Sequence, residues 1–298
     1  MLFIFGLYVK KIAFIINPKS GTRSKSHYPQ LILKYFPEVD FETDIYTTTC
    51  TKDGYYQAKK YVNEKYDAVI AIGGDGTVNE VASALMGTPV ALGIVPSGSG
   101  NGLALHLKMP SQTSSALKKI RKQHEILIDG CLLNDMPFFC TAGVGYDAYI
   151  ANRFAETGRR GPVVYMEEVI FQYFDYKSQW YSLTIDGQET IERKAFLITF
   201  ANASQWGNNV VIAPNASVND GLLDVVVMSE FPIYEAPKMS LHLLIKQLDR
   251  TRYVETFKCS SLVVERKHAD YVHFDGEPGM MGKCIKVKVL PKVLKIWA

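Results

Sequence analysis

The chain has 298 residues, 47% of them apolar and 12% aromatic, which is enough to bury a sizeable core and long enough for about two domains. Its 33 basic and 30 acidic residues are spread along the chain, with a formal charge of +3 and no basic tail, which argues against nucleic acid as the main partner. Cys50, Cys131, Cys140, Cys259 and Cys284 are odd in number, widely spaced and without any Cys-x-x-Cys or Cys/His metal spacing, so reduced thiols in a cytoplasmic protein are expected.

The apolar stretch Met1 to Val9 has no basic region before it and stops at Lys10-Lys11, well short of the ~20 residues a spanning helix needs. Neither a signal peptide nor an anchor is expected, so membrane contact would be peripheral. Residues 11 to 16 form an apolar run that ends at Asn17-Pro18, a buried strand meeting a turn, and Tyr66 to Ile72 and Val90 to Val95 repeat the pattern. Tyr55 to Glu64 and Val78 to Met86 between these runs carry helical spacing, so strands alternate with helices and a parallel sheet is implied over roughly the first 125 residues.

From Ile126 the texture changes to short strands with turn signals: Phe138 to Ala142, Tyr181 to Ile185, Ala195 to Ala201, Leu222 to Met228 and Ser261 to Glu265. Asp186-Gly187 between two alternating runs predicts a hairpin. This half reads as mostly antiparallel β. Within it, Gly161-Pro162 opens a segment to Tyr176 with helical spacing of apolar residues. Ile285 to Val289 alternates as an amphipathic strand with its lysines outward.

The chemistry gathers where strands run into glycine-rich turns. Asp67 to Ile72 lead straight into Gly73-Gly74-Asp75-Gly76-Thr77, after which Val78, Val81, Ala82 and Leu85 recur at helical spacing. Glycines in such a turn let backbone N–H groups approach an anion, and the helix N-terminus adds partial positive charge. Thr77 and Glu80 fit a capping box, which leaves Thr77 as either cap or phosphate ligand. A carboxylate beside a phosphate cradle repels its ligand unless a metal or a transferable proton intervenes, so Asp75 points to a Mg²⁺-linked or proton-accepting role. Ala91 to Val95 followed by Pro96-Ser97-Gly98-Ser99-Gly100-Asn101-Gly102 repeats the strand-to-helix turn. Asn17-Pro18-Lys19-Ser20-Gly21 makes a third loop at the same carboxyl edge, where ligands of open α/β sheets gather. No Walker A loop occurs and no Gly-x-Gly-x-x-Gly follows a strand. The six histidines show no metal spacing; His273, two residues before Asp275, is the one placed near a cleft.

Four motifs, Asn17-Pro18-x-Ser20-Gly21, Gly73-Gly74-Asp75-Gly76-Thr77-x-Asn79-Glu80, Pro96-x-Gly98-Ser99-Gly100-Asn101 and Asp275-Gly276-Glu277-Pro278, resemble the diacylglycerol kinase catalytic family. That family includes bacterial lipid kinases and sphingosine kinases, within a superfamily that also holds NAD kinases, and the resemblance spans nearly the whole chain. It implies an α/β nucleotide-binding domain over residues 1–126, an antiparallel β-sandwich lipid domain over 127–284, a last strand over 285–298 returning to the first domain, and an active site in the cleft.

By the same resemblance, ATP contacts fall on Asn17, Pro18, Lys19, Ser20, Gly21, Thr48, Gly73, Gly74, Asp75, Gly76, Thr77, Val78, Asn79, Glu80, Ser99, Gly100 and Asn101. Asp275 and Glu277 resemble the catalytic pair beside Asp75, Asp147 a position near the lipid head group, and Asp220 with main-chain oxygens of Ser217 and Leu222 a second Mg²⁺ site. The partners implied are a lipid alcohol, diacylglycerol first and a sphingoid base second, and an anionic membrane touched by segment 163 to 174 with Arg153, Arg159 and Arg160; a homodimer stays open. An NAD kinase-like enzyme and a non-catalytic nucleotide-binding regulator are the alternatives of other classes.

Overall fold

The computed structural model describes residues 9–21, 24–157, 167–169 and 171–298. Strands β1 (Lys10–Ile16), β2 (Phe41–Thr47), β3 (Ala68–Gly73) and β4 (Ala91–Pro96) lie parallel in the order β2-β1-β3-β4. Every residue of β3 and β4 is buried, as central strands covered on both faces require. The covering helices are α1 (Tyr28–Tyr35), α2 (Asp53–Asn63), α3 (Asp75–Leu85), α4 (Gly102–His106) and α5 (Thr113–Arg121).

The sheet does not stop at β4. Strand β18 (Cys284–Trp297) pairs parallel with β4 through Ile296 and Trp297, and antiparallel with β5 (Glu125–Leu133) along most of its length. Its first half pairs with β15 (Ser261–Arg266), which continues into β8 (Gln179–Ile185) and β9 (Glu189–Ala195). A second, wholly antiparallel sheet runs β14 (Val254–Cys259), β13 (Leu223–Met228), β10 (Leu197–Ala201), β7 (Thr141–Gly145), β16 (Asp270–Phe274) and β17 (Glu277–Met281). The two sheets share a core that includes Leu133, Phe138, Val144, Leu183, Phe200, Val225, Val264 and Ile285. An α/β layer followed by a β-sandwich is therefore the architecture, as expected.

Helix α6 (Tyr146–Thr157) follows β7, and α7 (Ala236–Leu244) packs near the short hairpin of β11 (Gln205–Gly207) and β12 (Val210–Val211). The Asp186-Gly187 hairpin forms, with φ of +48° and +69° at its two central residues, the left-handed pair that a tight turn needs. The predicted alternation over 285 to 289 is the start of a strand of 14 residues, with Lys286 and Lys288 outward. Residues 126 and 127, the expected division, lie inside β5.

The strand expected over Phe138 to Ala142 is instead broken between β6 (Met136–Phe138) and β7, for a reason given below. Of the helix expected from Gly161-Pro162 to Tyr176, residues 161–166 and 170 lie outside the described residues, as do Arg159 and Arg160; residues 167–169 and 171 are helical, and residues 172–175 form turns, short of the expected end. No described helix is long and apolar enough to cross a membrane. All five cysteines are free, Cys131, Cys140 and Cys259 buried and Cys50 and Cys284 exposed.

Candidate active site

Strands β1, β3 and β4 are neighbours, so the loops leaving their carboxyl ends meet. Asn17 N–H donates to the Ile72 carbonyl at 3.0 Å and Ser97 N–H to the Gly73 carbonyl at 2.8 Å. The two glycine loops then touch backbone to backbone: a β-carbon at Gly98 would come within 2.4 Å of the Gly74 α-carbon. Gly21, at φ +62°, lies so close to the Ser97 carbonyl that a β-carbon there would meet its oxygen at 2.3 Å. Asn17 donates from Nδ2 to Thr77 Oγ1 at 2.9 Å and accepts from Lys19 N–H, while the Ser20 hydroxyl donates to the Asn17 carbonyl. Pro18 and Lys19 are exposed at the rim, and Thr48 is buried against the Ile16 carbonyl beside the same loop.

The Thr77 and Glu80 capping box does not form. Gly74 is the N-cap of α3 and has no side chain with which to cap that helix. Glu80 turns to the neighbouring helix, accepting from Lys52 N–H at 2.7 Å and Gly54 N–H at 3.1 Å, and so closes the N-terminus of α2. The first intrahelical bond of α3 runs from Val78 N–H to the Gly74 carbonyl, which leaves the N–H groups of the first turn as the ones a helix start offers to an anion. The Val78 side chain is in the core and its N–H is held by the Gly74 carbonyl.

Asp75 spans the two glycine loops. Its Oδ2 accepts from Asn101 N–H and its Oδ1 from Gly102 N–H, both at 2.7 Å, so the first residue of α3 caps α4. Burial, with the Asp275 charge adding to it, pushes its carboxyl up to about 6 against the pull of these amides. Gly100 packs against this carboxylate, Ser99 is exposed, and Asn101, at φ +56°, braces the loop by bonding both the N–H and the carbonyl of Gly98. The side chains of Asp75, Asn101 and Glu80 are thus engaged in shaping the cradle.

The late Asp-Gly-Glu motif approaches the cradle from the second sheet. Asp275 and Gly276, at φ +48° and +83°, form the tight turn between β16 and β17. Asp275 is buried and accepts four hydrogen bonds: Cys140 N–H at 2.8 Å, Thr141 N–H at 3.1 Å, Phe139 N–H at 3.0 Å and Asn79 Nδ2 at 2.8 Å. Three successive amides turned toward one carboxylate cannot also feed a ladder, which is why the strand predicted over 138 to 142 breaks. Asn79 donates also to the Pro137 carbonyl, so α3 is tied to the same anchor. Burial raises the Asp275 carboxyl above the usual range despite these donors. Glu277, by contrast, is exposed, and its carboxylate lies over Gly76: a β-carbon there would meet Oε1 at 2.6 Å. A carboxylate therefore stands at the open N-terminus of α3.

Asp147, in the first turn of α6, is buried with His273. The His273 Nε2 to Asp147 Oδ2 distance is 3.1 Å, and the same oxygen accepts from Thr199 Oγ1 at 3.0 Å while Oδ1 accepts from Ala148 N–H at 2.8 Å. The sequence reading missed this pairing because the partners are 126 residues apart. It also passed over Lys25, a buried ammonium that donates to the Ser20 carbonyl under the first loop; nothing local distinguishes it from other lysines.

The expected second Mg²⁺ site does not fit. Asp220 Oδ2 is 2.9 Å from Lys258 Nζ and its Oδ1 accepts from Leu222 N–H at 3.1 Å, while the Ser217 hydroxyl bonds Asn219 Oδ1 at 2.9 Å. An ammonium already occupies the side of the carboxylate that a cation would need. Among the described residues no three His, Cys, Asp or Glu side chains gather as metal ligands.

The family model described as the diacylglycerol kinase catalytic domain matches residues 11–133, and that of the YegS C-terminal NAD kinase beta sandwich-like domain matches residues 140–298. This chain belongs to the diacylglycerol kinase family. The kinase is 30% identical to an uncharacterized protein of Synechocystis sp. over 95% of this chain and 69% of that one. It is 26% identical to a diacylglycerol kinase of Bacillus subtilis over 92% and 91% of the two chains, and 30% identical to a probable lipid kinase YegS-like of Chromohalobacter salexigens over 76% and 74%. A crystal structure of a putative diacylglycerol kinase from Bacillus anthracis shares the kinase's fold with a TM-score of 0.75 at 20% identity, covering 97% and 96% of the chains. An NAD kinase from Archaeoglobus fulgidus in complex with ATP shares it more distantly, with a TM-score of 0.55 at 14% identity over 96% and 93%. The enzyme is a lipid kinase.

Proposed function

We propose that this enzyme transfers the γ-phosphoryl group of ATP to the hydroxyl of a lipid alcohol, diacylglycerol or a related neutral lipid. One observation carries the reading: Glu277 stands over Gly76, beside the first turn of α3, so a proton acceptor and a phosphate cradle share one spot. In-line transfer needs a positioned hydroxyl, a group to take its proton and stabilisation of the transferring phosphoryl group. Glu277 takes the proton; the amides of Gly74 to Thr77 and of Ser99 and Gly100 bind the polyphosphate, those of Ser97 and Gly98 being held by the Gly73 carbonyl and Asn101. Asp275 positions Glu277 through the turn they share, and Asp75 positions the second loop. Asn17 to Gly21 and Thr48 form the nucleotide's flank. Magnesium would arrive on the nucleotide, where it neutralises phosphate charge.

The head group is proposed to be neutral. A sphingoid base presents an ammonium that calls for an open carboxylate, whereas Asp147, the position resembling a head-group contact, already serves Thr199, Ala148 and His273. Peripheral membrane contact is proposed through Phe171 and Phe174, 71% and 66% exposed.

Labelled phosphate transfer from ATP to diacylglycerol, monoacylglycerol, ceramide and sphingoid bases in mixed micelles tests the function. Transfer to diacylglycerol above the others is expected. ATP consumption with none of these lipids, or with NAD in their place, would overturn it, and a sphingoid base as preferred acceptor would refute the head-group assignment. Equal affinity for anionic and neutral vesicles in flotation would remove the membrane contact.

A further inference from the structure

Away from the glycine loops, three oxygens converge on one ammonium. Lys258 of β14 is the register partner of Asp224 in β13, so its side chain reaches across the ladder onto the 215–224 loop. There Nζ lies 2.9 Å from Asp220 Oδ2, 3.1 Å from Asp224 Oδ2 and 3.5 Å from the Asn215 carbonyl oxygen. The side chain of Asp224 is 11% exposed, that of Asp220 31% and that of Lys258 37%, so the cluster sits at the edge of the fold with its innermost carboxylate nearly dry. An ammonium carries three N–H donors and one positive charge; here it donates to Asp220 Oδ2 and the Asn215 carbonyl and stands in ion-pair range of Asp224, whose Oδ2 accepts no hydrogen bond.

We propose that the Lys258 ammonium is the permanent cation of this loop, standing where relatives' resemblance would place magnesium, so that the loop folds and stays folded without a divalent ion. The physical case rests on exclusion as much as attraction. Magnesium demands six oxygens in a near-regular octahedron at about 2.0–2.1 Å and gives up its water reluctantly. A metal bound to Asp220 at that distance would lie a few ångströms from a fixed positive charge, with Coulomb repulsion in a partly buried site. Both carboxylate oxygens of Asp220, the only side chain of the expected site, are committed, one to Lys258 and one to the Leu222 N–H. A tethered ammonium is present at the site whenever the ladder forms, whereas a metal must be recruited at a concentration the surroundings set. A magnesium requirement of the enzyme would then not come from this loop.

Thermal melting without nucleotide tests this apart from the kinase reading, because it needs no substrate and no turnover. The chelator-treated wild type is expected to melt at the same temperature with and without millimolar magnesium. Lys258→Met, which leaves Asp220 and Asp224 uncompensated, is expected to melt at least about 2 °C lower and to recover part of that loss on adding magnesium or manganese. Manganese titration followed by electron paramagnetic resonance should find one more bound ion in Lys258→Met than in the wild type, and that ion should vanish in the double variant with Asp220→Asn. A rise in the wild-type melting temperature with magnesium that Asp220→Asn abolishes would overturn the proposal, even if Lys258→Met failed to fold. So would a Lys258→Met protein whose melting and metal binding match the wild type.

Discussion

Asp275 and Glu277 sit two residues apart, and the structure separates their roles sharply enough to test by substitution. In Asp275→Asn one carboxylate oxygen becomes an NH₂ group that must face either the Phe139 and Asn79 donors or the Cys140 and Thr141 amides. Two hydrogen bonds to a buried charge are lost, each worth about 1.5–3 kcal/mol, which gives about 3–6 kcal/mol. Neutralising a carboxylate that burial disfavours offsets part of this, so about 3 kcal/mol is the expected net loss. At about 2–4 °C per kcal/mol, the melting temperature should fall by roughly 6–12 °C. Glu277→Gln alters an exposed side chain and should stay within about 0.5 kcal/mol of the wild type, yet cut phosphoryl transfer by ~10²-fold or more. Melting curves and initial rates with a lipid acceptor are measured on both. An Asp275→Asn protein that melts like the wild type but does not turn over would refute the anchor reading, and near-normal turnover in Glu277→Gln would refute the base.

Gly76→Ala places a methyl 2.6 Å from Glu277 Oε1, so the carboxylate must move; transfer should drop by up to ~10²-fold with ATP binding kept, and an unchanged rate would show that Glu277 does not act from there. Glu80→Ala removes the cap of α2 and should cost about 1 kcal/mol in thermal stability while leaving the KM for ATP unchanged; a raised KM would make Glu80 a nucleotide contact after all. Burial lifts Asp75 to about 6, whereas an unfolded aspartate titrates near ~3.9, so the folded chain holds the extra proton between those values. The sign follows: relative to Asp75→Asn, wild-type stability should decline by about 3 kcal/mol as pH rises from about 4 to 6 and then level off. Urea titrations of both proteins across that range check it, and a difference that stays flat would sink the assignment.

What the sequence disclosed is what short-range chemistry specifies. Ile72 to Thr77 announces a strand, a glycine turn and a helix start within a few residues, and Asp186-Gly187 carries its turn in its own dihedral preferences. The readings that failed each depended on a distant partner. The strand over 138 to 142 breaks because Asp275, more than 130 residues on, draws its amides away. The capping box at Thr77 and Glu80 fits by spacing, but two amides of α2 compete for Glu80 and Asn17 for Thr77. Asp220 looks like a metal ligand until β14 brings Lys258 to it. Helix α6 went unread for a related reason: its buried residues face β7 and β16, elements whose pairing only the whole sheet reveals.

Strand β18 gives the molecule an unusual mechanical character. One uninterrupted strand is stitched to β15 near its start and to β4 at its end, with a register shift between Leu290 and Leu294 and Lys292 at φ +51° in between. Bending of the β15 end of this sheet, which backs the sandwich, relative to the β4 end, which carries the glycine loops, therefore has to flex one strand at that kink. Small adjustments along it are then elastic, and large ones would tear ladder bonds on both sides of the kink, so the two halves should melt as one cooperative unit.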